Sequence, residues 1–337
     1  MAGGAWITVG RMKILFIGGT GNISTDCAAV LAGQGHTVGV LSRGNHPLPA
    51  GYADLRGDRH NSVALASAAG GFKPDVVINF LGFVPDDVAR DVEAFGSGIS
   101  QYIFISSATV YAKPHTILPI SEAAPVGNPF SAYAQNKQAC EEWLMTCRAE
   151  TGLPVTIVRP SHTYSPRWIP NPVSSAGFTF GARLRAGKPV FVHGDGESLW
   201  TLTATADFAV GLAGLVGADN AIGETYHITS DEALSWNRIY AETAAALGVD
   251  APTIIKVPLD RIAAMDPDFA VQLKGDKAEP GVFDNTKIKQ AVPGFECHTP
   301  FREGIREAVA WFDAGPARQT INPGADACFD RLTQAAG

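Results

Sequence analysis

The chain has 337 residues, of which 46% are hydrophobic and 18% are charged, a balance typical of a globular protein with a sizeable core. The formal net charge of −7 argues against a nucleic-acid-binding surface, which is normally basic. The five cysteines include no C-x-x-C pair, which indicates neither a disulfide framework nor a zinc site, and no apolar run approaches the ~20 residues of a membrane helix. We therefore expect a cytoplasmic protein with reduced thiols and without a metal, a nucleic-acid partner or a membrane partner.

Strand-like segments recur along the first half of the chain, after an N-terminal extension formed by residues 1–11. They are rich in β-branched residues and are separated by segments with helical spacing or turn residues. In order, they are KILFI, HTVGVLS, DVVINF, QYIFIS and VTIVRP. Strands that alternate with helices form a parallel sheet covered on both faces. The sequence thus predicts an α/β protein with a doubly wound parallel sheet.

The first strand leads into a glycine-rich turn, GGTGNIS, and then into a helix with one apolar face. A strand, a glycine turn and a helix in this order are typical of a dinucleotide-binding site. Gly18 permits the tight turn, Gly21 lets backbone N–H groups approach a pyrophosphate, and Ser24 takes the third small position, where the helix packs against the strand. A turn without a ligand is the alternative. The predicted cofactor contacts in this turn are Gly18, Thr20, Gly21, Asn22 and Ile23.

The end of the second strand indicates which dinucleotide binds. A carboxylate there receives the ribose hydroxyls of NAD, whereas a basic residue suits the additional phosphate of NADP. The sequence VLSRGNH has no acid at this point, so Ser42 and Arg43 slightly favour NADP over NAD. Arg43 as a solvated loop residue is the alternative. After the third strand, Asp58 and Arg59 are expected either at the adenine edge or in a surface ion pair.

A strand end and a helix carry the candidate catalytic residues. The segment YIFISSATVY ends in hydroxyl groups at the edge where open parallel sheets bind ligands, and Ser107 is the candidate there. Tyr133 and Lys137 in SAYAQNK are four residues apart and so share one helix face. A nearby ammonium group favours the phenolate, so Lys137 is expected to lower the pKa of Tyr133 and make it a proton carrier. The alternative for Tyr133 and Lys137 is a solvated helix face, and the alternative for Ser107 is a hydroxyl that caps a helix or turn.

The helix that contains this pair is predicted to begin with Asn128 as its cap and to end near Thr151. Beyond residue 165 the chain becomes loop-like and its helical segments are shorter. Two apolar helix faces are expected there, formed by Trp236, Ile239, Tyr240 and Leu247 and by Ile305, Val309 and Phe312. We predict a dinucleotide-binding domain and a smaller C-terminal substrate-binding part, formed by 12–165 plus 203–230 and by 166–202 plus 231–337, respectively.

Together these motifs resemble the extended short-chain dehydrogenase/reductase superfamily, and within it an atypical branch of the NAD-dependent epimerase/dehydratase family. The resemblance extends along nearly the whole chain through GGTGNIS, GDR, SSATVY, YAQNK, VRPSHTY, GDGESLWTLTATADFA, GETYHIT and FDNTKI. It implies a Rossmann-type fold, a bound nicotinamide dinucleotide and a homodimer. It also implies a catalytic set of Ser107, Tyr133 and Lys137, in which Tyr133 takes a proton from a substrate hydroxyl while hydride passes to the nicotinamide ring.

Further contacts follow from the resemblance and from positions after strand ends on the ligand side of the sheet. The predicted cofactor contacts beyond the glycine turn are Ser42, Arg43, Asp58, Arg59, Leu81, Tyr133, Lys137, Pro160 and His162. The predicted substrate contacts are Phe83, Thr109, Tyr164, Arg167 and Trp200. For His162 a packed loop position is the alternative, and for Trp200 a position in the core.

Two stretches depart from common members of the resembled family. Nucleotide-sugar epimerases commonly have an arginine where this chain has Trp200 in GDGESLW, and an indole cannot replace a bidentate phosphate clamp. The stretch GDGESLWTLT is similar to a branch that includes chloroplast stem-loop RNA-binding proteins. Dehydratases usually have an Asp-Glu pair where this chain has Ala108 and Thr109, so dehydration is less favoured than epimerisation or simple oxidation and reduction.

The leading hypothesis is an NAD(P)-dependent oxidoreductase or epimerase that acts on a hydroxyl of a sugar or nucleotide sugar. One alternative is an NADPH-dependent carbonyl reductase that releases its cofactor, which Arg43 favours. The other is a non-catalytic nucleotide- or RNA-binding relative. The Ser/Tyr/Lys set and the acidic net charge favour catalysis over RNA binding. The expected partners are a small-molecule substrate and a second copy of the chain.

Overall fold

Short strands and helices follow one another in regular alternation along the chain. The computed structural model describes residues 10–96 and 98–334, so most of the predicted extension lies outside the described residues. Within these residues the strands are β1 (Lys13–Ile17), β2 (Thr37–Ser42), β3 (Ala53–Arg56), β4 (Val76–Asn79), β5 (Gln101–Ile105), β6 (Val155–Arg159), β7 (His162–Tyr164), β8 (Val190–His193), β9 (Leu199–Ala204), β10 (Thr225–His227), β11 (Ala233–Ser235) and β12 (Ile254–Val257). The helices of the same residues are α1 (Ser24–Gly33), α2 (Ser62–Phe72), α3 (Pro85–Phe95), α4 (Ala132–Thr151), α5 (Thr179–Arg185), α6 (Thr205–Leu215), α7 (Trp236–Ala246), α8 (Leu259–Met265), α9 (Pro267–Gly275), α10 (Thr286–Ala291), α11 (Phe301–Asp313) and α12 (Pro323–Gln334).

Seven of the strands form one parallel sheet with the order β10-β6-β5-β4-β1-β2-β3. The five strands expected from the sequence all lie in it, and β3 and β10 form its edges. The chain runs outward from β1 to β3 and then returns to β4 on the other side of β1. Ligands of such sheets bind at the carboxyl ends of the strands where the strand order reverses. The predicted Rossmann-type, doubly wound parallel sheet is confirmed.

Alternate residues of the central strands point to opposite faces of this sheet, and helices cover both faces. On one face, Ile14 and Phe16 of β1 pack with Cys27 and Leu31 of α1 and with α6. On the other face, Leu15 packs in a cluster that includes residues of α2, α3 and α4. Each fully buried aliphatic or aromatic side chain of this kind contributes roughly 1.5–3 kcal/mol. These two cores therefore hold the ends of the central strands in place.

The remaining strands belong to a smaller assembly. β7, β9 and β11 form a three-stranded sheet, and β8 pairs with β12. Helices α5, α7, α11 and α12 contribute side chains to one apolar core with them. The two apolar helix faces predicted from the sequence lie in this core and comprise Trp236, Ile239, Tyr240 and Leu247 and Ile305, Val309 and Phe312. Their burial explains why the apolar spacing is visible in the sequence.

The predicted boundary between the two parts of the chain crosses one of the cores of the large sheet. Helix α10 lies in the range assigned to the substrate-binding part. However, Ile288 of α10 packs with Val292, Phe295 and residues of α1 and α6 against the seven-stranded sheet. This short segment thus covers one face of the seven-stranded sheet. The division into two parts as a whole stays a prediction.

The sequence predicted that the chain has no membrane helix and that its thiols are reduced. No helix in the described part of the chain combines the length and the apolar character needed to cross a membrane. All five cysteines are free thiols, and three of them are buried.

Candidate active site

The glycine turn between β1 and α1 lies against the loop that follows β4. Gly18 has a φ of +88°, a left-handed conformation that favours glycine. A Cβ atom at Gly18 would lie 2.5 Å from Cγ of Leu81, so the contact leaves no room for a side chain. Gly18 and Leu81, both predicted cofactor contacts, are therefore neighbours where the strand order reverses.

Ser24 adds a hydrogen bond to this turn that a third glycine could not make. Its hydroxyl accepts from the Gly21 N–H at 2.9 Å, and Ser24 is buried. Among the described residues, the N–H groups of Asn22 and Ile23 make no hydrogen bond within the protein. Free N–H groups at a helix N-terminus fit a phosphate group. The turn therefore fits the pyrophosphate of a dinucleotide, although the Gly21 N–H itself is engaged.

The side chains of the turn differ in their contacts. Asn22 joins the turn to the smaller sheet, because its Nδ2 donates to the Thr163 carbonyl at 3.4 Å and its Oδ1 accepts from the Ser165 hydroxyl. Thr20 is half-buried. Ile23 lines a cavity that also contains Ser107. The predicted contacts of the turn thus connect the sheet crevice with the smaller part of the chain.

Two arginines lie near the end of β2, Arg43 directly after it and Arg56 at the end of the neighbouring strand β3. Arg43 is exposed and makes no hydrogen bond or ion pair with any described residue. Ser42 is paired in register with Arg56 of β3, and a Cβ atom at Gly44 would lie 3.2 Å from Nε of Arg56. Arg56 also pairs with Asp54 at 2.8 Å on the surface. Sequence reasoning missed Arg56, because the strand register alone brings it beside Ser42.

The surface ion pair predicted for Arg59 is wrong, because this residue is buried. The adenine contacts of Asp58, which is exposed, and of Arg59 stay predictions. Arg59 is 8% exposed, and its Nη2 donates to both carboxylate oxygens of Asp91 at 3.3 Å. Asn79 also contacts Asp91, and its Oδ1 accepts from the Leu81 N–H at 2.7 Å. The ion pairs of Arg59 are therefore buried and not on the surface. It belongs to a buried network that holds the loop after β4.

The candidate catalytic side chains come from the end of β5 and from α4. The helix begins at Ala132 with Ser131 as its cap, later than the predicted cap Asn128. Tyr133 and Lys137 lie on one face of the helix, with the Lys137 Nζ 5.9 Å from the centre of the Tyr133 ring. The Ser107 hydroxyl accepts from the Thr109 hydroxyl at 2.8 Å.

Burial controls the protonation of this set. Partial burial raises the pKa of the Tyr133 phenol, although 45% of the residue surface is exposed, and a hydrogen bond with Ser107 opposes the rise. Burial also lowers the pKa of Lys137 to about 8. The Lys137 ammonium donates to the Ile105 carbonyl at 2.8 Å instead of contacting the phenol. The expected lowering of the Tyr133 pKa by Lys137 is therefore not observed.

Phe83, a predicted substrate contact, lies beside the tyrosine and lysine. Its ring centre is 6.4 Å from that of Tyr133 and 5.1 Å from the Lys137 Nζ. Nearly half of the Phe83 surface is exposed. The aromatic ring therefore shields the buried ammonium while leaving one face available to a ligand.

A cavity of about 260 Å³ opens beside Ser107. A second cavity of about 430 Å³ contains Tyr133. Thr109 and Asp276 line both cavities, so the two are adjacent. Predicted site residues from several strand ends meet in the first cavity, which is lined by Ile23, Ser107, Thr109, Pro160, His162 and Trp200, the first of them from the glycine turn.

Aromatic side chains form one wall of the first cavity. The rings of His162 and Trp168 are 4.7 Å apart, and Trp200 lies 6.0 Å from His162. Trp200 donates from its indole nitrogen to the Lys277 carbonyl at 3.0 Å. Burial lowers the pKa of His162 to about 3, so this imidazole is neutral. His162 and Trp200 therefore line the cavity, as the ligand-contact prediction requires. They also pack against other side chains, as the alternative predicts.

Two predicted substrate contacts lie elsewhere. Tyr164 is 1% exposed and packs in the core of the smaller part, 5.5 Å from the ring of Phe301. Arg167 is exposed and is not among the residues that line the described cavities. Tyr164 follows a strand end in the sequence, but β7 belongs to the smaller sheet, and its last side chain points into that core.

Several residues that line the cavities were not found from the sequence. They are Lys113, Trp168, Ser174, Asp276 and Lys277. Lys113 follows Ser107 by a few residues in the loop after β5. This position after a strand end could have identified it as a candidate site residue. Asp276 and Lys277 form an ion pair directly after α9, far from the other site residues in the sequence. No local pattern connects them with the catalytic set.

The chain is similar to known proteins over most of its length. Residues 14–229 match the model of the NAD dependent epimerase/dehydratase family. The chain is 30% identical to the 2'-dehydrokanamycin reductase of Streptomyces kanamyceticus, over 70% of this chain and 67% of that protein. It is 31% identical to the chloroplast stem-loop binding protein of 41 kDa b of Arabidopsis thaliana, over 72% of this chain and 65% of that protein. The matches thus span about two thirds of the length of these curated relatives.

The fold is shared with solved structures. The UDP-glucose 4-epimerase of Thermus thermophilus in complex with NAD superposes with a TM-score of 0.69 and 23% identity, over 90% of this chain and 100% of that chain. The family match, by contrast, covers more than half of the sequence. The chain therefore belongs to the NAD dependent epimerase/dehydratase family of enzymes.

Proposed function

We propose that this protein is an NAD(P)-dependent oxidoreductase that interconverts a carbonyl and a hydroxyl group on a sugar. The observation that carries the proposal is the position of Ser107, Tyr133 and Lys137 beside adjoining cavities, next to the glycine turn. Trp168 and Trp200 line the cavity that contains Ser107, and aromatic faces of this kind pack well against sugar rings. The first named relative is a reductase of 2'-dehydrokanamycin, which supports the same type of reaction.

The side chains have complementary roles in this proposal. Ser107 holds the substrate oxygen, and Tyr133 gives it a proton during reduction or removes one during oxidation. Lys137 does not lower the pKa of Tyr133 in the resting protein. Its buried positive charge lies 5.9 Å from the centre of the phenol ring, and its role in this proposal is to oppose the negative charge that forms as the proton leaves. A bound nicotinamide dinucleotide supplies or accepts the hydride.

The residues around the glycine turn fit the dinucleotide. The free N–H groups of Asn22 and Ile23 suit its pyrophosphate. The exposed Arg43 and the neighbouring Arg56 suit an additional ribose phosphate, since guanidinium groups bind phosphate oxygens well. We therefore propose NADP as the preferred cofactor.

Reduction with exchangeable NADPH is the favoured form of the reaction. The exposed Arg43 and the similarity to a reductase support this form. Epimerisation with a retained cofactor is the second candidate, because the chain shares its fold with an NAD-bound epimerase. The apolar Trp200 supports a substrate other than a nucleotide sugar. The net charge of −7 speaks against an RNA-binding function.

The first test identifies the nucleotide and the direction of its use. Protein purified without added nucleotide is denatured by heat, and the released material is analysed by mass spectrometry. Consumption of NADPH and NADH is then followed with a panel of keto sugars. We expect an empty site that binds NADPH more tightly than NADH and consumes it with a keto sugar. Retained NAD would support the epimerase instead, and binding without turnover would contradict the oxidoreductase.

We also propose a homodimer, on the basis of the resemblance to the family. Analytical ultracentrifugation of the full chain tests this point. A single species of about 71 kDa, twice the 35.5 kDa of the chain, is expected, and a monomer at micromolar concentration would contradict it.

A further inference from the structure

Lys113 places a positive charge on the wall of the first cavity. It lies in the loop after β5 and shares this cavity with Ser107, Thr109 and Trp168. Its Nζ is 2.8 Å from Nε2 of His115. Among the described residues, no carboxylate lies within ion-pair distance of this nitrogen. The ammonium group therefore has a neutral hydrogen-bond partner but no counter-ion in direct contact.

The other ionisable groups of the wall do not neutralise Lys113. Asp276 and Lys277 pair with each other, so their charges cancel locally. Burial lowers the pKa of His162 to about 3. Burial, together with the charge of Lys113, lowers the pKa of His115 to about 4. Both imidazoles are thus neutral under physiological conditions.

Glu279 is the remaining acidic neighbour. Burial lowers the pKa of Lys113 to about 8, while Asp276 and Glu279 oppose this change from a distance. At neutral pH the ammonium is therefore still charged but poorly solvated. A charge in this situation is stabilised most by a partner that makes direct contact. Glu279 does not line the cavity, so a ligand can reach Lys113 from the cavity side.

We propose that Lys113 binds an anionic group, a carboxylate or a phosphate, on the sugar substrate. The proposal rests on the proposed function, because it assigns the substrate class of the same site. The hydroxyl or carbonyl that reacts lies at Ser107 and Tyr133, and the anionic group lies against Lys113 on the opposite side of the ring. The substrate is accordingly an acidic sugar or a sugar phosphate.

The size of the cavity fits a single sugar. Its volume of about 260 Å³ lies just below the roughly 300–1,000 Å³ of ordinary ligand pockets. Trp168 and Trp200 supply a flat apolar wall, while Lys113 and Asp276 supply charged groups. This combination suits one ring that has polar edges and one negative charge.

The binding test uses the intrinsic tryptophan fluorescence of the chain, which has six tryptophans, two of them in the cavity wall. Tryptophan fluorescence is titrated with D-glucuronate, D-glucose 6-phosphate and methyl α-D-glucoside at constant ionic strength, with and without NADP. The first two probes separate carboxylate from phosphate, and the third is neutral. We expect at least one anionic probe to bind about tenfold more tightly than the neutral glucoside, as a charged hydrogen bond provides.

Variants assign the preference to Lys113. Lys113→Met should remove it, and Lys113→Arg should retain most of it. Near-ultraviolet circular dichroism of each variant verifies that the fold is unchanged. If the native protein binds neither anionic probe more tightly than the glucoside, or if a folded Lys113→Met variant keeps the preference, the proposal is overturned.

A further variant separates this proposal from the proposed reaction. Tyr133→Phe removes the proton carrier and leaves Lys113 in place. The preference for the anionic probe should persist in this variant even though turnover is lost. Loss of the preference only in Lys113→Met would thus support the substrate class independently of the role of Tyr133.

Discussion

Burial determines the protonation state of the side chains beside the cavities. The pKa of Tyr133 is raised, although Ser107 opposes this effect, and that of Lys137 is lowered to about 8. At neutral pH the phenol is therefore protonated and the ammonium is charged. A protonated phenol next to a substrate carbonyl is ready to donate. Sequence spacing identified the two residues but could not indicate their solvation, which depends on Phe83 and on the strand end.

The pH dependence of kcat in the reductive direction follows from these two groups. Because Tyr133 keeps its proton and Lys137 keeps its charge below its pKa of about 8, kcat should be constant near neutral pH. It should fall as the pH rises through that value, when Lys137 loses its proton. The measurement uses saturating substrate, so that kcat reports the bound state. In the Lys137→Arg variant, which stays charged, the fall should disappear, and an unchanged profile would contradict the role of Lys137.

Removal of one hydroxyl tests the proton carrier. Tyr133→Phe should lower kcat by about 10²–10⁴-fold, the usual contribution of a positioned acid or base, while the Kd of NADPH changes little. The matched control is Tyr164→Phe, because the Tyr164 hydroxyl is buried in the core without a hydrogen-bond partner among the described residues. That control should keep its activity. Equal losses in both variants would contradict the assignment.

At the level of elements, the turn after β1 and the loop after β4 support each other. Gly18 contacts Leu81, and the Leu81 N–H donates to Asn79 in the buried network with Arg59 and Asp91. From the short motif GDR we predicted an exposed position for Arg59. The residues that bind it, Asn79 and Asp91, lie on β4 and α3, and the local sequence does not reveal these contacts. The glycine positions themselves could be predicted, since a strand-to-helix turn requires them.

Two glycine variants separate backbone strain from crowding. Gly18→Ala should reduce the free energy of unfolding by about 3 kcal/mol, because it combines left-handed strain with a collision. Gly51→Ala has the same kind of φ, +92°, but no atom near its Cβ position, so it should cost only about 1–2 kcal/mol. Urea denaturation measures both. A cost for Gly18→Ala no larger than that of Gly51→Ala would show that the contact with Leu81 is unimportant.

Arg59 and Arg43 provide a second matched pair. Arg59→Met leaves Asp91 buried without its cation and should cost about 3 kcal/mol of unfolding free energy. The measurement is best made above neutrality, because burial raises the pKa of Asp91 to about 7. Arg43→Met should leave stability unchanged and weaken NADPH binding relative to NADH. The reverse pattern would place the cofactor contact at Arg59 after all.

At the level of the whole molecule, sequence patterns predicted the sheet more completely than the cavities. Buried parallel strands are nearly continuous apolar segments, so β1, β2, β4, β5 and β6 could be recognised locally. Ser107, Tyr133 and Lys137 could be proposed as a catalytic set from the sequence, because a strand end and one helix face carry them. Lys113, Asp276 and Lys277 meet only through tertiary packing. Tyr164 was misplaced because its strand joins the smaller sheet.

The most direct test of the central claim follows the hydride itself. The full chain is incubated with NADPH carrying deuterium at the transferable position and with a panel of neutral and acidic keto sugars, and the products are analysed by mass spectrometry. We expect deuterium in the new C–H bond of an alcohol product, with the wild-type chain and not with Tyr133→Phe. Absence of deuterium from every product, or equal transfer by the Tyr133→Phe variant, would contradict an NADPH-dependent reductase that uses Tyr133 as its proton donor.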